Sequence, residues 1–365
     1  MTELNNNTAR IWAIRAAAGI MILVVVHLAG CTGIGPSTID RDRFDYVSAI
    51  SESWKRQTLL NLVKTRYMDI PVFMDITSVI NQYSLESEIN AGFTWSDLNT
   101  QSLGGSATWA DRPTITYNPL MGEKFARSLL MPIPIPAVLL LVQSGYPADA
   151  IVRICVQTIN GLENIRSSPI AAKKADPEFY ELSNLLHDLQ KMDGMAIRSQ
   201  SIDNKRTMVM VFRPPKNEAA AGNLERVIQL LGLDVKSRNF PVVHGGFALN
   251  NKEIAILNRS LLQIMVEYAA YIDVPESDIA EGRVYGDRQE STKTKTPFPP
   301  LTRVHNGASK PDDTFVAVFY RDHWFWIDDR DIYSKAMFQF LMTLFSFTEW
   351  GESDQMAPVI TVPAN

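Results

Sequence analysis

Phe315-Val316-Ala317-Val318-Phe319-Tyr320 and Trp324-Phe325-Trp326-Ile327-Asp328 stand either side of Arg321-Asp322-His323. Two short runs of β-branched and aromatic residues around a polar tripeptide predict a tight hairpin. Asp328-Asp329-Arg330-Asp331 follows, and Asp329 or Asp331 is placed to cap an apolar helix from Ile332 to Phe347. The same order is expected twice before it. Met195 to Asp203 and Arg206 to Phe212 make a hairpin through Asn204-Lys205, and a helix over 223–231 ends at Gly232. Phe240 to Leu249 and Glu253 to Leu257 make another, followed by an amphipathic helix from Arg259 to Ile272. These units share no residue identity, so they are a recurring architecture rather than a repeat. The fold class is therefore α+β, antiparallel hairpins layered with helices, rather than a doubly wound parallel sheet.

Outward from this block, Ser167-Ser168-Pro169 to Asp176-Pro177 marks the edge between two expected domains, 45–170 and 177–350. In the first, a helix runs from the cap Asp45 to about Tyr67 and stops before Pro71, which lacks an N–H. A β-like stretch from Val72 to Leu85 leads to a long hairpin over 88–117. With its turn near Ser102, Trp95 faces Trp109 and Ile89 faces Ile115. A helix over 123–130 precedes the extended Met131-Pro132-Ile133-Pro134-Ile135-Pro136, and further apolar helices are expected over 137–142 and 148–162. Residues 282–313 read as a mobile loop of the second domain, and 351–365 as an extended tail.

The N-terminus carries a different signal. Arg10 and Arg15 precede an apolar run from Ala16 to Val26, and small residues Ala29 and Gly30 stand before Cys31. Leu28-Ala29-Gly30-Cys31 resembles the lipobox of bacterial lipoprotein precursors. That resemblance implies that residues 1–30 are a signal peptide cut before Cys31. It also implies a thioether-linked diacylglycerol on Cys31, usually with an acylated amine, so that several chains anchor the protein firmly. Thr32, rather than Asp, follows the cysteine, which implies the outer membrane and its periplasmic face. Residues 31–44 would be the tether. An uncleaved anchor with an incidental cysteine is the other reading, although the run is short for a span. Both readings place the body outside the cytoplasm. Trp54 to Tyr67 and Tyr320 to Asp331 look like segments of uncharacterised lipoproteins of Gram-negative bacteria, which implies no biochemical role.

Composition narrows the classes. The chain has 35 basic and 40 acidic residues, and removing Arg10, Arg15 and Glu3 with the leader leaves 33 and 39. A net charge near −6 argues against nucleic acid or anionic lipid as the main partner. At 46% hydrophobic and 21% charged the chain is globular, not disordered. Cys155 has no second cysteine once Cys31 is lipidated, and its apolar surroundings read as those of a buried small hydrophobe.

Catalytic patterns are missing. There is no G-x-S-x-G elbow, no H-x-x-x-H pair among His187, His244, His305 and His323, and no phosphate-binding glycine loop. His244-Gly245-Gly246 reads as a turn. The carboxylates of Asp328, Asp329 and Asp331 suit helix capping, with cation binding or acid–base work as the sharper option. Trp324 and Trp326, together with Asp328 and Asp329, would offer a ligand or partner surface if one strand face is open. Helix 332–347 is apolar nearly all round and is expected at the centre of the core.

The expectation is a non-catalytic, outer-membrane-anchored lipoprotein, a scaffold or accessory in a cell-envelope assembly. Its partners are the membrane, through the lipid, and envelope proteins; no cofactor, metal or nucleic acid is expected. Two alternatives stay open: an envelope hydrolase of glycan or peptide, and an oligomeric pore that inserts the 88–117 hairpin. Asp111 and Pro113 interrupt the alternation that a barrel strand needs.

Overall fold

The computed structural model describes residues 34–80, 83–94, 100–111, 114–119, 121–167, 172–202, 205–284 and 300–347. The leader, Cys31, Trp95 and the tail over 351–365 lie outside the described residues. The architecture is α+β. Two compact units divide the chain: Met1–Ser51 with Ile76–Asn118, and Glu52–Asp75 with Pro119–Asn365. The division does not follow the Pro-rich segment at 169–177, because strands from both sides of that segment share one sheet.

Helix α1 (Ile34–Arg66) starts within the expected tether. Pro36 is tolerated there because the N–H it lacks has no helical acceptor in a first turn. Strands β1 (Met74–Ile80) and β4 (Thr114–Pro119), which belong to the first unit from Ile76 on and up to Asn118, pair with each other. Strands β2 (Tyr83–Thr94) and β3 (Thr100–Asp111) pair antiparallel over their whole length, from Tyr83↔Asp111 to Thr94↔Thr100. This corrects the register expected for the 88–117 hairpin. Trp109 pairs with Leu85, Ile89 pairs with Gly105, and Ile115 belongs to β4. Gly104 and Gly105 are strand residues rather than a turn, and residues 95–99 lie outside the described residues.

The second unit is built on a six-stranded sheet in the order β6-β5-β10-β9-β8-β7. Helices α2 (Gly122–Leu130), α3 (Ile135–Gln143) and α4 (Ala148–Cys155) lead into β5 (Val156–Ile159) and β6 (Leu162–Glu163). The helix expected over 148–162 thus ends at Cys155. Asn160-Gly161 is the reason: both residues have positive φ, 45° and 86°, and make the two-residue turn between β5 and β6. Asn160 also accepts the Ala255 N–H at 2.7 Å and donates to the Leu231 carbonyl at 2.8 Å.

Helix α5 (Pro177–Lys191) precedes the hairpin β7 (Met195–Ile202) and β8 (Lys205–Phe212), which is followed by α6 (Glu218–Leu230). Strands β9 (Asn239–His244) and β10 (Ile254–Asn258) run parallel, not as the expected hairpin. So short a parallel connection is unusual. Its own side chains fold it back: Glu253 accepts the Leu249 N–H at 2.7 Å, and Asn250 accepts the Lys252 N–H at 2.8 Å. Gly245 and Gly246 have no positive φ, so this segment is not the glycine turn that the sequence suggests.

Helix α7 (Leu261–Ala269) begins with a capping box between Ser260 and Gln263. After α8 (Glu276–Ala280) come β11 (His305–Gly307), β12 (Thr314–Tyr320), β13 (His323–Asp328) and α9 (Ile332–Phe347). The three strands form a second sheet, β11-β13-β12. Residues 300–313 are therefore part of the fold rather than of a mobile loop, and Leu301 and Val304 are buried. The core joins α1 (Leu59, Leu62, Val63), the helices α3 to α7, both sheets and α9.

Candidate functional site

Strand alternation sorts β13 into two faces. Phe325 and Ile327 are fully buried against the core. Phe325 meets Tyr67 edge-on with ring centroids 6.3 Å apart. Trp324, Trp326 and Asp328 occupy the other face, where each tryptophan is half-buried. The register places Phe319 and Gly307 beside Trp324, and Ala317 and His305 beside Trp326. Phe319 is 53% exposed and packs on Trp324 at 5.5 Å. Lys310 Nζ lies 6.0 Å from the Trp324 ring.

Gly307 makes this surface flat. A Cβ there would stand 3.2 Å from Trp326 Cη2, so the indole lies over bare backbone. His305 stacks on Trp326 at 5.8 Å, and its Nδ1 faces Asp273 Oδ2 at 3.5 Å. The hydrogen bond to Asp273 raises the His305 pKa; burial opposes it, and Asp273, Asp328 and Asp331 add to the rise.

The acidic run separates into distinct roles. Asp331 caps α9, accepting the Ser334 N–H at 3.0 Å and the Ser334 hydroxyl at 2.8 Å. Burial pushes its carboxyl up, but the two Ser334 bonds, Arg303 and His305 together hold it below the usual range. Asp328 Oδ1 accepts the Arg330 N–H at 2.8 Å. Asp329 accepts from Lys335 Nζ at 2.7 Å, and Arg330 pairs with Asp313. Trp324, Trp326 and Asp328 therefore share a face with His305, while Asp329 lies apart on the turn before α9. His323 does not join them: its Nδ1 sits 3.0 Å from the Arg321 carbonyl. Helix α9 is not buried all round; Phe338, Phe340, Leu341 and Leu344 face the core, while Ile332 and Tyr333 are exposed.

A second assembly was not legible in the sequence. Asp149 and Arg153 from α4, His187 from α5, and Tyr333 from α9 line a cleft of about 440 Å³ walled by Tyr146, Met337 and Phe340. His187 Nδ1 is 3.5 Å from Asp149 Oδ1 and 3.2 Å from Gln190 Oε1. Burial raises the Tyr333 hydroxyl pKa, Arg153 lowers it, and Asp149 raises it again. The one local signal was Asp149 and Arg153 at helical i,i+4 spacing. Nothing in the sequence ties them to His187 or Tyr333, which arrive from distant elements.

Other ionisable groups serve the fold. Arg259, almost wholly buried, donates to the Arg153 and Ile154 carbonyls at the end of α4 and lies 3.8 Å from Glu267. Cys155 is fully buried, and desolvation pushes its thiol up to about 12, beyond reach as a nucleophile at neutral pH. Among the described residues, no three His, Cys, Asp or Glu side chains gather as they would for a metal ion. No described helix is long and apolar enough to cross a membrane. Comparison with known proteins finds no matching family, no matching curated protein and no matching solved structure.

Proposed function

We propose that the chain is an outer-membrane-anchored lipoprotein, held by lipid on Cys31, that serves as a non-catalytic scaffold or accessory in a cell-envelope assembly. One observation carries the scaffold reading: the outer face of β11-β13-β12 presents Trp324, Trp326 and Phe319 on a flat, hydrogen-bonded sheet. Aromatic side chains held rigidly give contact area at little entropic cost and dominate protein–protein hot spots. The anchor is supported by Leu28-Ala29-Gly30-Cys31.

The test is a photo-crosslinking residue placed at Phe319 in living cells, with and without Trp324→Ala. The reading expects a discrete crosslinked protein that disappears in the alanine variant while the fold persists. An uncrosslinked monomer that binds saccharide would overturn it. Mass analysis of the purified N-terminus tests the anchor separately, since an intact, unmodified leader would sink that part alone.

The cleft favours a second reading, an envelope hydrolase of glycan or peptide using the His187–Asp149 pair for proton transfer. His187→Gln that abolished cleavage of purified envelope glycan or peptide without lowering stability would support it. Loss of stability alone would count against it.

A further inference from the structure

Register assigns every residue of the β2–β3 ribbon to a face, and the two faces differ sharply. One face takes Tyr83, Leu85, Ser87, Ile89, Ala91 and Phe93 from β2, with Asp111, Trp109, Ala107, Gly105, Leu103 and Gln101 opposite them. The other takes Ser84, Glu86, Glu88, Asn90, Gly92 and Thr94, with Ala110, Thr108, Ser106, Gly104, Ser102 and Thr100 opposite. The first is apolar through its middle, and its polar residues fall mainly at the ends. The second is hydroxyl-rich, small and acidic. The interruptions expected from the sequence do not break the middle of this face, since Asp111 stands at its very end and Pro113 comes after the strand in sequence.

From this juxtaposition we infer that the ribbon is a membrane-inserting element, its apolar face against lipid and its polar face toward water, closed into a β-barrel by copies of the same chain. The inference rests on the envelope-anchored reading for the presence of a bilayer and states what the assembly would be. Three features carry it beyond alternation. Each strand has 12 residues; at about 3.3 Å per residue that is roughly 40 Å, which at a tilt near 45° spans a hydrocarbon core of about 30 Å. Tyr83 and Trp109 sit near one end of the apolar face and Phe93 near the other, where barrel strands carry their aromatic girdles. The neighbouring pair β1–β4 has no buried residue among those described, and Ile115 and Tyr117 are 38% and 56% exposed. Met74, Ile80, Ile115 and Tyr117 of that pair therefore stay open, as strand residues next in sequence to a lipid-facing ribbon would.

Among the described residues β2 and β3 pair only with each other, so each has one edge with no strand beside it. Hydrocarbon tolerates no such edge. The first strand of one copy must pair with the last of the next, and about four copies or more are needed to reach the smallest barrels of eight strands. Glu86 and Glu88 would then ring the water-filled interior in every copy, which makes cations the favoured passengers.

The experiment uses the full chain, lipidated at Cys31, with single cysteines placed in turn at positions 85, 86, 88, 89, 91, 103 and 106 and labelled with an environment-sensitive dye. Cys155 is buried and does not compete. Vesicles of phosphatidylethanolamine and phosphatidylglycerol provide the bilayer. The inference expects a period of two: positions 85, 89, 91 and 103 shift to the blue and are quenched by lipid-borne nitroxide, whereas 86, 88 and 106 stay open to aqueous iodide. In planar bilayers, Glu86→Gln with Glu88→Gln should reduce cation preference, and Leu103→Lys should abolish conductance. Labels that all remain open to iodide on floating vesicles would overturn insertion while leaving the anchor intact. Failure to float would overturn the anchor itself. Apolar-face labels shielded equally without vesicles would mean that a second copy covers that face in water, and would also overturn insertion.

Discussion

Two antiparallel hairpins in this chain obey the same alternation and meet different fates. In β12–β13, Val316, Val318, Phe325 and Ile327 form an apolar face buried in a core that also holds Tyr67, Phe338 and Leu341. In β2–β3, with strands of 12 residues against 7 and 6, the apolar face is longer, but the polar face opposite it carries carboxylates and hydroxyls, and the described residues of β1 and β4 include none that is buried. Alternation thus specifies which residues share a face. It does not specify what covers that face, which depends on whether a helix of matching apolar surface follows. Ile332 to Phe347 follows β13 directly.

The sharpest way to break the comparison is to make the same kind of truncation in both hairpins. Phe325→Ala should cost about 3–5 kcal/mol, because it removes a fully buried ring and leaves a cavity. If no protein covers the ribbon, as the insertion proposal requires, Leu103→Ala in aqueous solution should cost under about 0.5 kcal/mol. Denaturant midpoints of the purified variants read both. A large loss in Leu103→Ala would mean that protein, not solvent, covers the ribbon.

Gly307→Val comes next and tests the outer face of the covered hairpin. The added Cβ meets Trp326 at 3.2 Å, so the indole must lift from the sheet. The expected cost is about 1–3 kcal/mol, as for overpacking. It should appear with a change in near-ultraviolet circular dichroism from the displaced tryptophan. An unchanged signal would show that Trp326 does not depend on bare backbone for its place.

The same contrast explains what was legible in the sequence. The β12–β13 hairpin and α9 were readable because period, turn and cap agree locally. The hairpin at β7–β8 and Gly232 at the end of α6 (φ 63°) were readable for the same reason. Where the outcome depends on distant partners, local sequence does not specify it. β9 and β10 look like a hairpin in sequence, but β10 takes β5 as its second neighbour and runs parallel to β9. The ribbon register is not legible because Gly104 and Gly105 look like a turn in sequence, yet pair with Asn90 and Ile89 inside the strand. Asn160-Gly161 is a turn signal, but the apolar run around it has the length and composition of a helix. At the candidate site, Trp324, Trp326 and Asp328 were legible as one strand face. Gly307, His305 and Asp273 were not, because only the fold brings β11 beside β13.

A smaller effect concerns the turn of the covered hairpin. Arg321 and Asp322 both take positive φ, 46° and 64°, in a two-residue connection that leaves His323 as the first residue of β13. L-residues are disfavoured there by about 1–2 kcal/mol, less for Asp, while glycine is not. Asp322→Gly should therefore stabilise by about 0.5 kcal/mol, offset in part by the entropy of the unfolded chain. Arg321 is the poorer site to alter, because its guanidinium covers the Tyr67 ring at 4.8 Å. A midpoint that falls in Asp322→Gly would place the strain elsewhere.

The smallest effect separates the two hairpins by charge. The exposed face of β11-β13-β12 carries His305 beside Asp273, Asp328 and Asp331, whereas the polar face of the ribbon holds Glu86 and Glu88 and no histidine. The folded pKa of His305 is raised above 6.5 by its bond to Asp273. Its contribution to stability is therefore complete below pH 6.5 and is lost as pH rises through the higher folded value. Asp331 works in the opposite sense: its lowered pKa contributes above the usual carboxylate range and is lost as pH falls through the folded value. The two windows do not overlap, so a scan from pH 5.5 to 8.5 isolates the histidine. Because the two side chains are 40% and 36% exposed, solvent screening limits the change to a few tenths of a kcal/mol. His305→Gln should remove the component of the slope between those values, and Asp273→Asn should shrink it and move it toward lower pH. A slope untouched by both variants would assign the titration to another group and leave Asp273 with only a structural place beside the aromatic face.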